Sequence, residues 1–403
     1  MRIGIVINTS WNIYNFRKGL IKRLLEEGHE VVAIAPRDDF SPLLEQMGCE
    51  YQAIRVYRKS SNPISDLRLV YDLYKVYTKS SLDIVLHFTI KPNIYGSVAA
   101  ALAGIPVINN VTGLGTVFLR ENYKSYIAKT LYRYSFRLPK VVFFQNQDDR
   151  KIFLQQALVS EKITDLLPGS GVDIHHFSPV EQSDNEANQS SFTFLLVARL
   201  LYDKGILEYV DAIRKLRKEG RVKAKFQLLG DIENAAGLGI PLTQVKTWQQ
   251  EGLLEYLGRV ADVRPYIAKA DCVVLPSYRE GTPRSLLEAA SMGKPLVATD
   301  VPGCKEVVYE SVNGYLCPAK DAEGLANALE KMWQTPQSTL EEFRKNSRTL
   351  AVSQFDQQIV INKYFQAIYQ CLNRKYIPKT SHTSISKIPH LQVAVTAELE
   401  NQD

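Results

Sequence analysis

From its first residues this chain alternates short apolar runs with amphipathic stretches, stops at one polar segment, and then begins the alternation again. In the first round, residues 2–8, 30–36, 51–56, 83–89, 106–111, 141–146 and 163–168 read as strands, each a short apolar run bounded by polar or turn residues. Helix-period stretches at 16–27, 66–79 and 93–103 lie between them. Strands that alternate with helices form a parallel sheet covered on both faces. Gly169-Ser170-Gly171-Val172-Asp173 then makes a flexible turn, and residues 180–191 carry Glu, Gln, Ser, Asp and Asn with almost nothing apolar. That composition marks a linker. Beyond it, 192–198, 225–229, 254–257, 271–275, 295–299 and 314–317 repeat the strand pattern. The expected architecture is α/β, with one sheet domain over 1–178, a linker over 179–191 and a second sheet domain over 192–353. A closing helix over 354–372 and a tail over 373–403, expected to be mobile, complete it. Paired domains of this type bind ligands in the cleft between them, at the carboxyl ends of the strands.

With 403 residues, both domains have ordinary size and their own cores. An apolar share of 45% and a charged share of 23% are those of a soluble globular protein, which sets aside fibrous and disordered classes. Met1-Arg2 runs straight into strand-like residues 3–7, so no secretory leader is expected. The most apolar stretch, 97–108, is broken by Gly104 and Pro106 and is too short to span a bilayer. Five scattered cysteines without a C-x-x-C pair point to a reduced cytoplasmic protein with neither a disulfide framework nor a zinc site. The net charge of +6 is unevenly spread. Arg120, Lys124, Lys129, Arg133, Arg137 and Lys140 stand against one acid, Glu121, mostly at intervals of four or five residues. Phe118, Tyr123, Tyr126, Tyr132, Tyr134 and Phe136 are interleaved. A basic, aromatic helix of this kind either lies on an anionic membrane surface or is a solvated helix whose rings pack inward.

The densest chemistry is the stretch Glu280-Gly281-Thr282-Pro283-Arg284-Ser285-Leu286-Leu287-Glu288, which follows the apolar run 272–275. Thr282 reads as an N-cap, Pro283 as the first helical residue and Gly293 as the stop. Glu280 and Gly281 then lie in the loop, and Glu288 sits about 7–8 Å beyond Pro283 along the helix. The open amides and positive dipole end of such a helix attract a phosphate. A nucleoside diphosphate placed there would set its sugar against Glu280 and its ribose against Glu288. The same stretch would also serve as an ordinary solvated helix start. Upstream, the run Leu195-Leu196-Val197-Ala198 ends in Arg199, and Lys204-Gly205 follows around a turn. Both cations would stand at the carboxyl edge of the sheet, one a planar fork and the other a mobile point charge, and would neutralise a diphosphate leaving group.

Together these stretches resemble the family 4 glycosyltransferases, retaining enzymes of the GT-B fold with two Rossmann-like domains. The resemblance runs to about Leu372 and is most specific in the E-x(7)-E stretch, the Arg199…Lys204-Gly205 pair and Pro168-Gly169-Ser170-Gly171-Val172-Asp173. It implies that Arg199 and Lys204 bind the donor diphosphate and act in catalysis with Glu280, which faces the donor sugar. Gly281, Thr282 and Pro283 would line the same donor, Glu288 would bind the ribose, and Gly230, Arg259 and Val260 would hold the base. His87-Phe88-Thr89-Ile90-Lys91-Pro92-Asn93-Ile94-Tyr95-Gly96 and Thr112-Gly113-Leu114-Gly115 resemble bacterial members that extend a sugar on undecaprenyl diphosphate for capsule, O-antigen or protein glycans. On that likeness Lys91 would approach an acceptor diphosphate, although it would equally serve as an exposed lysine at a helix start. Thr89, Asn93 and Thr112 would bind acceptor hydroxyls.

Two departures stand out. Many members carry paired glycines after the first strand, where this chain has Asn8-Thr9-Ser10-Trp11-Asn12, so Ser10 and Asn12 would replace the usual amide contacts. Many also place a sugar-contacting histidine near the end of the fourth strand, and His87 is offset from it by about a residue when Lys91 is aligned. No D-x-D occurs, so no metal or other cofactor is expected and the diphosphate falls to Arg199, Lys204 and the helix dipole. No G-x-G-x-x-G follows the first strand, which disfavours a nicotinamide enzyme. The implied activity is retaining transfer from a nucleotide sugar, UDP-linked by expectation, to a polyprenyl-diphosphate-linked saccharide on the inner face of the cell membrane. A sugar-nucleotide 2-epimerase, or a nucleotide-sugar-binding protein without catalysis, would share the fold.

Overall fold

The computed structural model describes residues 1–56, 63–114, 123–180, 191–232 and 238–376, with the side chain of Lys124 set aside. Residues 181–190 of the expected linker, residues 115–122 with Phe118, Arg120 and Glu121, and residues 377–403 of the tail lie outside them. Seven strands form the first sheet: β1 (Arg2–Val6), β2 (Glu30–Ala35), β3 (Glu50–Ala53), β4 (Ile84–Phe88), β5 (Val107–Val111), β6 (Val141–Phe144) and β7 (Thr164–Leu166). Six form the second: β8 (Thr193–Val197), β9 (Lys225–Leu229), β10 (Glu255–Gly258), β11 (Cys272–Leu275), β12 (Leu296–Thr299) and β13 (Gly314–Cys317). The orders are β3-β2-β1-β4-β5-β6-β7 and β10-β9-β8-β11-β12-β13, and every pairing is parallel. This is the α/β class the alternation predicts. Each sheet reverses its direction of growth at a central pair, β1/β4 and β8/β11, which opens a crevice at the carboxyl ends of those strands.

The central strands are buried along their length, as parallel strands covered on both faces must be, and that is why they read as continuous apolar runs. The helix expected over 16–27 spans Ser10–Glu26, because Thr9 caps it with its Oγ1 accepting from the Asn12 amide at 3.2 Å. The segment expected as one helix over 93–103 is a π-helical turn, Pro92–Gly96, followed by the α-helix Ser97–Leu102. Pro92 has no amide to give the preceding turn, and wide turns of this kind often occur at functional sites.

The last helices divide between the sheets. Leu340 and Phe343, on Gln337–Gln354, join the core of the second sheet. Val360, Ile361, Phe365 and Ile368, on Gln357–Cys371, join Ile5, Leu86 and Phe143 in the first. At the return crossing, the Val172 amide donates to the Phe355 carbonyl at 2.8 Å and the Gln357 amide to the Val172 carbonyl at 2.9 Å. The outward and return passes of the chain are strapped together there. No described helix is long and apolar enough to cross a membrane.

Candidate active site between the two sheets

The carboxyl ends of both sheets converge on a cavity of about 370 Å³. From the second sheet come Arg199, Lys204, Glu280 and Gly281; from the first come Thr89, Lys91, Asn93 and Thr112. Arg199 follows β8 as an exposed side chain. Lys204 ends a short 3-10 turn, Tyr202–Lys204, and Gly205 then adopts φ +68°. A Cβ at Gly205 would fall 1.9 Å from the Pro276 carbonyl oxygen, so only glycine lets this turn lie against the end of β11. That contact brings Lys204 to Glu280, and the two form an ion pair with about one-sixth of each side chain exposed. Ser277 Oγ donates to the same Oε1 of Glu280 at 2.7 Å. The carboxylate is therefore oriented before any ligand arrives. An ammonium has three donors, and one is used here, which leaves two for a diphosphate oxygen.

Glu288 lies on the helix Arg284–Ser291, where Arg284 Nε donates to its Oε1 at 2.8 Å. Burial pushes its carboxyl above the ordinary range, Arg284 opposes that, and Asp262 adds to it. Arg284 also donates to the Asn15 carbonyl at 2.9 Å, tying this helix to the first turns of Ser10–Glu26. Gly230 follows β9 with its carbonyl taken by the Tyr256 hydroxyl at 2.9 Å. Arg259 is exposed and lies 3.5 Å from Asp231, while Val260 packs on the apolar core of the second sheet. None of these residues lines the cavity with Arg199, Lys204 and Glu280.

On the other wall, Thr89 follows β4 in the left-handed region at φ +68°, a strained conformation for a β-branched residue. Its Oγ1 is buried and has no hydrogen-bond partner among the described residues. Asn93 is only 1% exposed; its Nδ2 donates to the Asn110 carbonyl at 2.8 Å, and its Oδ1 is likewise buried without a partner. Both residues line the cavity, but these two oxygens are turned into the protein rather than toward the open space. Lys91 is not the exposed lysine of the alternative reading. Its Nζ lies 2.6 Å from Asp66 Oδ1, and the Tyr95 hydroxyl donates to Asp66 Oδ2 at 2.7 Å.

Four expectations need correction. His87 does not reach the cleft, since it is fully buried with Nε2 2.8 Å from the Tyr77 hydroxyl and Nδ1 3.0 Å from Asn109 Oδ1. Burial outweighs the Asn109 bond and lowers its pKa to about 3, so the ring stays neutral near pH 7. Ser10 is fully buried too, its Oγ shared among the Pro36 carbonyl, Ser41 and Tyr51, which leaves it nothing for a ligand. Asn12 turns its Nδ2 to Asn8 Oδ1 at 3.1 Å, and it is Asn8 that lines the cavity. Thr282 is not the N-cap. The cap position falls on Pro283, and Thr282 Oγ1 donates across the cleft to the Gln145 carbonyl at 3.0 Å.

His87→Ala is expected to cost about 2–4 kcal/mol of stability, from the lost ring packing and the stranded Tyr77 hydroxyl. Thermal unfolding reads that loss, and nucleotide binding stays intact. The unfolded chain binds this proton more readily than the fold does, so the wild-type contribution shrinks as pH falls from about 6.5 toward 3.

Asp203, Tyr278 and Arg279 also line the cavity and carried no sequence signal of their own, although Tyr278 and Arg279 directly precede Glu280. Among the described residues no group of three or more His, Cys, Asp or Glu is placed to hold a metal ion.

Two doubly wound parallel sheets meeting at a cationic cleft, with an acidic loop entering a helix on one side, define the GT-B class of group-transfer enzymes. The chain belongs to the glycosyltransferases: residues 191–335 match the family described as Glycosyl transferases group 1, and residues 2–146 match Glycosyl transferase 4-like. It is 28% identical over 379 residues to the N,N'-diacetylbacillosaminyl-diphospho-undecaprenol alpha-1,3-N-acetylgalactosaminyltransferase of Campylobacter jejuni, covering 91% of this chain and 98% of that protein. It is 27% identical over 301 residues to the UDP-Gal:alpha-D-GlcNAc-diphosphoundecaprenol alpha-1,3-galactosyltransferase of Escherichia coli, covering 73% of this chain and 76% of that one. The solved structure of Anabaena HepE in complex with UDP and glucose has the same fold, with a TM-score of 0.74 at 20% identity over 92% of this chain and 100% of that chain.

Proposed function

We propose that this glycosyltransferase moves an N-acetylhexosamine or hexose from a UDP-linked donor, with retention, to a saccharide carried on undecaprenyl diphosphate. The observation that carries this reading is one cavity that joins Arg199, Lys204 and Glu280 of the second sheet to Thr89, Lys91, Asn93 and Thr112 of the first. Near full-length likeness to an enzyme named for an undecaprenol-linked acceptor and an alpha linkage supports the acceptor class and the stereochemistry. The acceptor hydroxyl attacks on the face from which the diphosphate departs, and a departing phosphate oxygen takes its proton. Arg199 and Lys204 stabilise the charge that grows on the leaving group. Glu280, held by Lys204 and Ser277, orients the donor sugar, and Glu288 accepts the ribose hydroxyls. The deciding experiment incubates the protein with a panel of nucleotide sugars and a short-chain undecaprenyl-diphosphate saccharide. Alpha-linked product with release of UDP upholds the reading, whereas conversion of donor alone to an epimer, or binding without transfer, overturns it.

The same reading places the enzyme on the membrane that holds its acceptor. Tyr132 and Phe136 pack inward against Phe153, while Tyr123, Tyr126, Ile127 and Tyr134 on the helix Tyr123–Ser135 are exposed beside Arg133 and Arg137. On Pro63–Lys79, Ile64, Leu67, Tyr71 and Tyr74 repeat at three- and four-residue spacing and are exposed too. Both helices pack against the π-helical turn that carries Asn93, so the apolar faces flank the acceptor side of the cavity. Replacing Arg133 and Arg137 by Gln is expected to weaken partition onto anionic vesicles by about 20–30-fold, at about 1 kcal/mol per charge. Cosedimentation measures it, and failure of the wild type to bind anionic vesicles, with no change on neutralising the two arginines, would remove the membrane-surface role.

A further inference from the structure

We infer that Asp149 and Arg279 form a positioning pair that makes the geometry of the Glu280 loop conditional on closure of the cleft. In its kinetic arm the inference rests on the transfer reaction proposed above. Asp149 belongs to the first half of the chain, on the helix Gln147–Gln155 that starts just after β6. Arg279 belongs to the second, immediately before Glu280 on the cavity wall. The guanidinium is ion-paired with the Asp149 carboxylate, which is completely buried.

Three further ties join the two halves, two of them at the same loop. Asn146 is the pivot: its Oδ1 caps the helix by accepting from the Asp149 amide at 2.7 Å, and its Nδ2 donates to the Gly281 carbonyl at 3.0 Å. Thr282 Oγ1 donates to the Gln145 carbonyl at 3.0 Å, and Lys305 lies 3.1 Å from Asp148. From its own half the loop is held by Lys204 and Ser277 on the Glu280 carboxylate and by the Glu280 amide on the Pro302 carbonyl at 3.2 Å. Glu280 thus has anchors in one half, whereas the residues on either side of it are anchored in the other.

The pair is poorly built for stability alone. Asp149 Oδ2 and Arg279 Nε are both buried and lack hydrogen-bond partners among the described residues, and such groups are costly to bury. On this inference the halves part in each turnover to admit the donor and release the diphosphate. Parting them breaks all four ties, and closing them returns Arg279, Glu280 and the Gly281 carbonyl to one arrangement. A closure step that assembles the site in this way commits the sugar to transfer only once the cleft is shut.

The test is Asp149→Asn, which preserves volume and removes the charge, alongside Arg279→Met, Arg279→Lys and the double variant Asp149→Asn/Arg279→Met. Asp149→Asn is expected to lower kcat by about tenfold with the donor KM within about twofold, since donor ligands stay in place and only positioning is lost. Arg279→Lys should recover most of the rate lost in Arg279→Met. The double variant should be no slower than the slower single one. Hydrogen exchange of the backbone amides at 280–282, read by mass spectrometry in the presence of UDP, should quicken in Asp149→Asn by about the same factor. Unchanged exchange, or losses in kcat that multiply in the double variant, would overturn the pairing. If Asp149→Asn does not fold, Arg279→Met and Arg279→Lys carry both arms: exchange faster in Met and restored in Lys supports the pair, and exchange unchanged in both overturns it. A wild type that binds UDP but transfers to no acceptor would sink the proposed reaction, and the exchange measurement would still decide the pair.

Discussion

Replacing Arg199 by alanine is expected to lower kcat by about 10²–10³, some 3–4 kcal/mol, because the contact proposed for it with the departing diphosphate would strengthen as the bond to the sugar breaks. The partner variant gives the contrast. Glu288→Ala should instead raise the donor KM with little change in kcat, because the ribose contact proposed for it would be the same before and during reaction. Lys204 is a poorer probe of this point, since it also holds Glu280 and its loss would disturb two groups at once. Steady-state kinetics with the donor varied at saturating acceptor separates the two outcomes. Turnover that survives in Arg199→Ala would place the leaving group elsewhere in the cavity.

Gly281→Ala is expected to lower turnover by at least about 10²-fold while UDP still binds, since a displacement of about 1 Å between reacting groups has that cost. A Cβ at Gly281 would fall 2.4 Å from the Thr112 carbonyl oxygen and 2.6 Å from Gln145 Oε1. Both belong to the first half of the chain, and a backbone carbonyl cannot move aside cheaply. The methyl group would therefore hold the halves apart at the point where donor and acceptor must meet. Arg199, Lys204 and Glu288 all lie in the second half, so nucleotide affinity measured by calorimetry should change little. If affinity and turnover fell together, the residue would serve the nucleotide rather than the approach of the two walls.

The fold was legible because parallel strands buried on both faces are apolar runs, and runs such as 30–36 and 271–275 cannot be mistaken for solvated loops. Strand ends moved by at most three residues, where the chain leaves the sheet for the cleft. Arg199, Lys204, Glu280, Thr89, Lys91, Asn93 and Thr112 were legible as cavity residues because each stands at the end of a predicted strand or close after one, and parallel strands deliver such residues to one edge. Local rules failed where a distant group claimed the side chain. Thr282 has the chemistry of an N-cap but is taken by Gln145, and Ser10 has that of a cleft hydroxyl but is taken by Ser41 and Tyr51. His87 follows the same logic, since a histidine inside a fully buried strand meets the groups on neighbouring elements before it meets solvent. The Asp149–Arg279 pair spans 130 residues of sequence and has no local spacing to betray it.

The helix Gln357–Cys371 has a consequence for how this chain can be made. Its Val360, Ile361, Phe365 and Ile368 complete the apolar core beneath β1, β4 and β6, and the Tyr364 hydroxyl accepts from Asn110 Nδ2 at 2.5 Å, next to the carbonyl that orients Asn93. During synthesis the first sheet is complete at Leu166, well before the segment that seals it begins at Gln357. Until residue 371 has left the ribosome, one face of that sheet is uncovered and the floor of the acceptor side lacks a support. Proteolytic halves of this protein would not be two working modules, because the amino-terminal piece ends before its own lid.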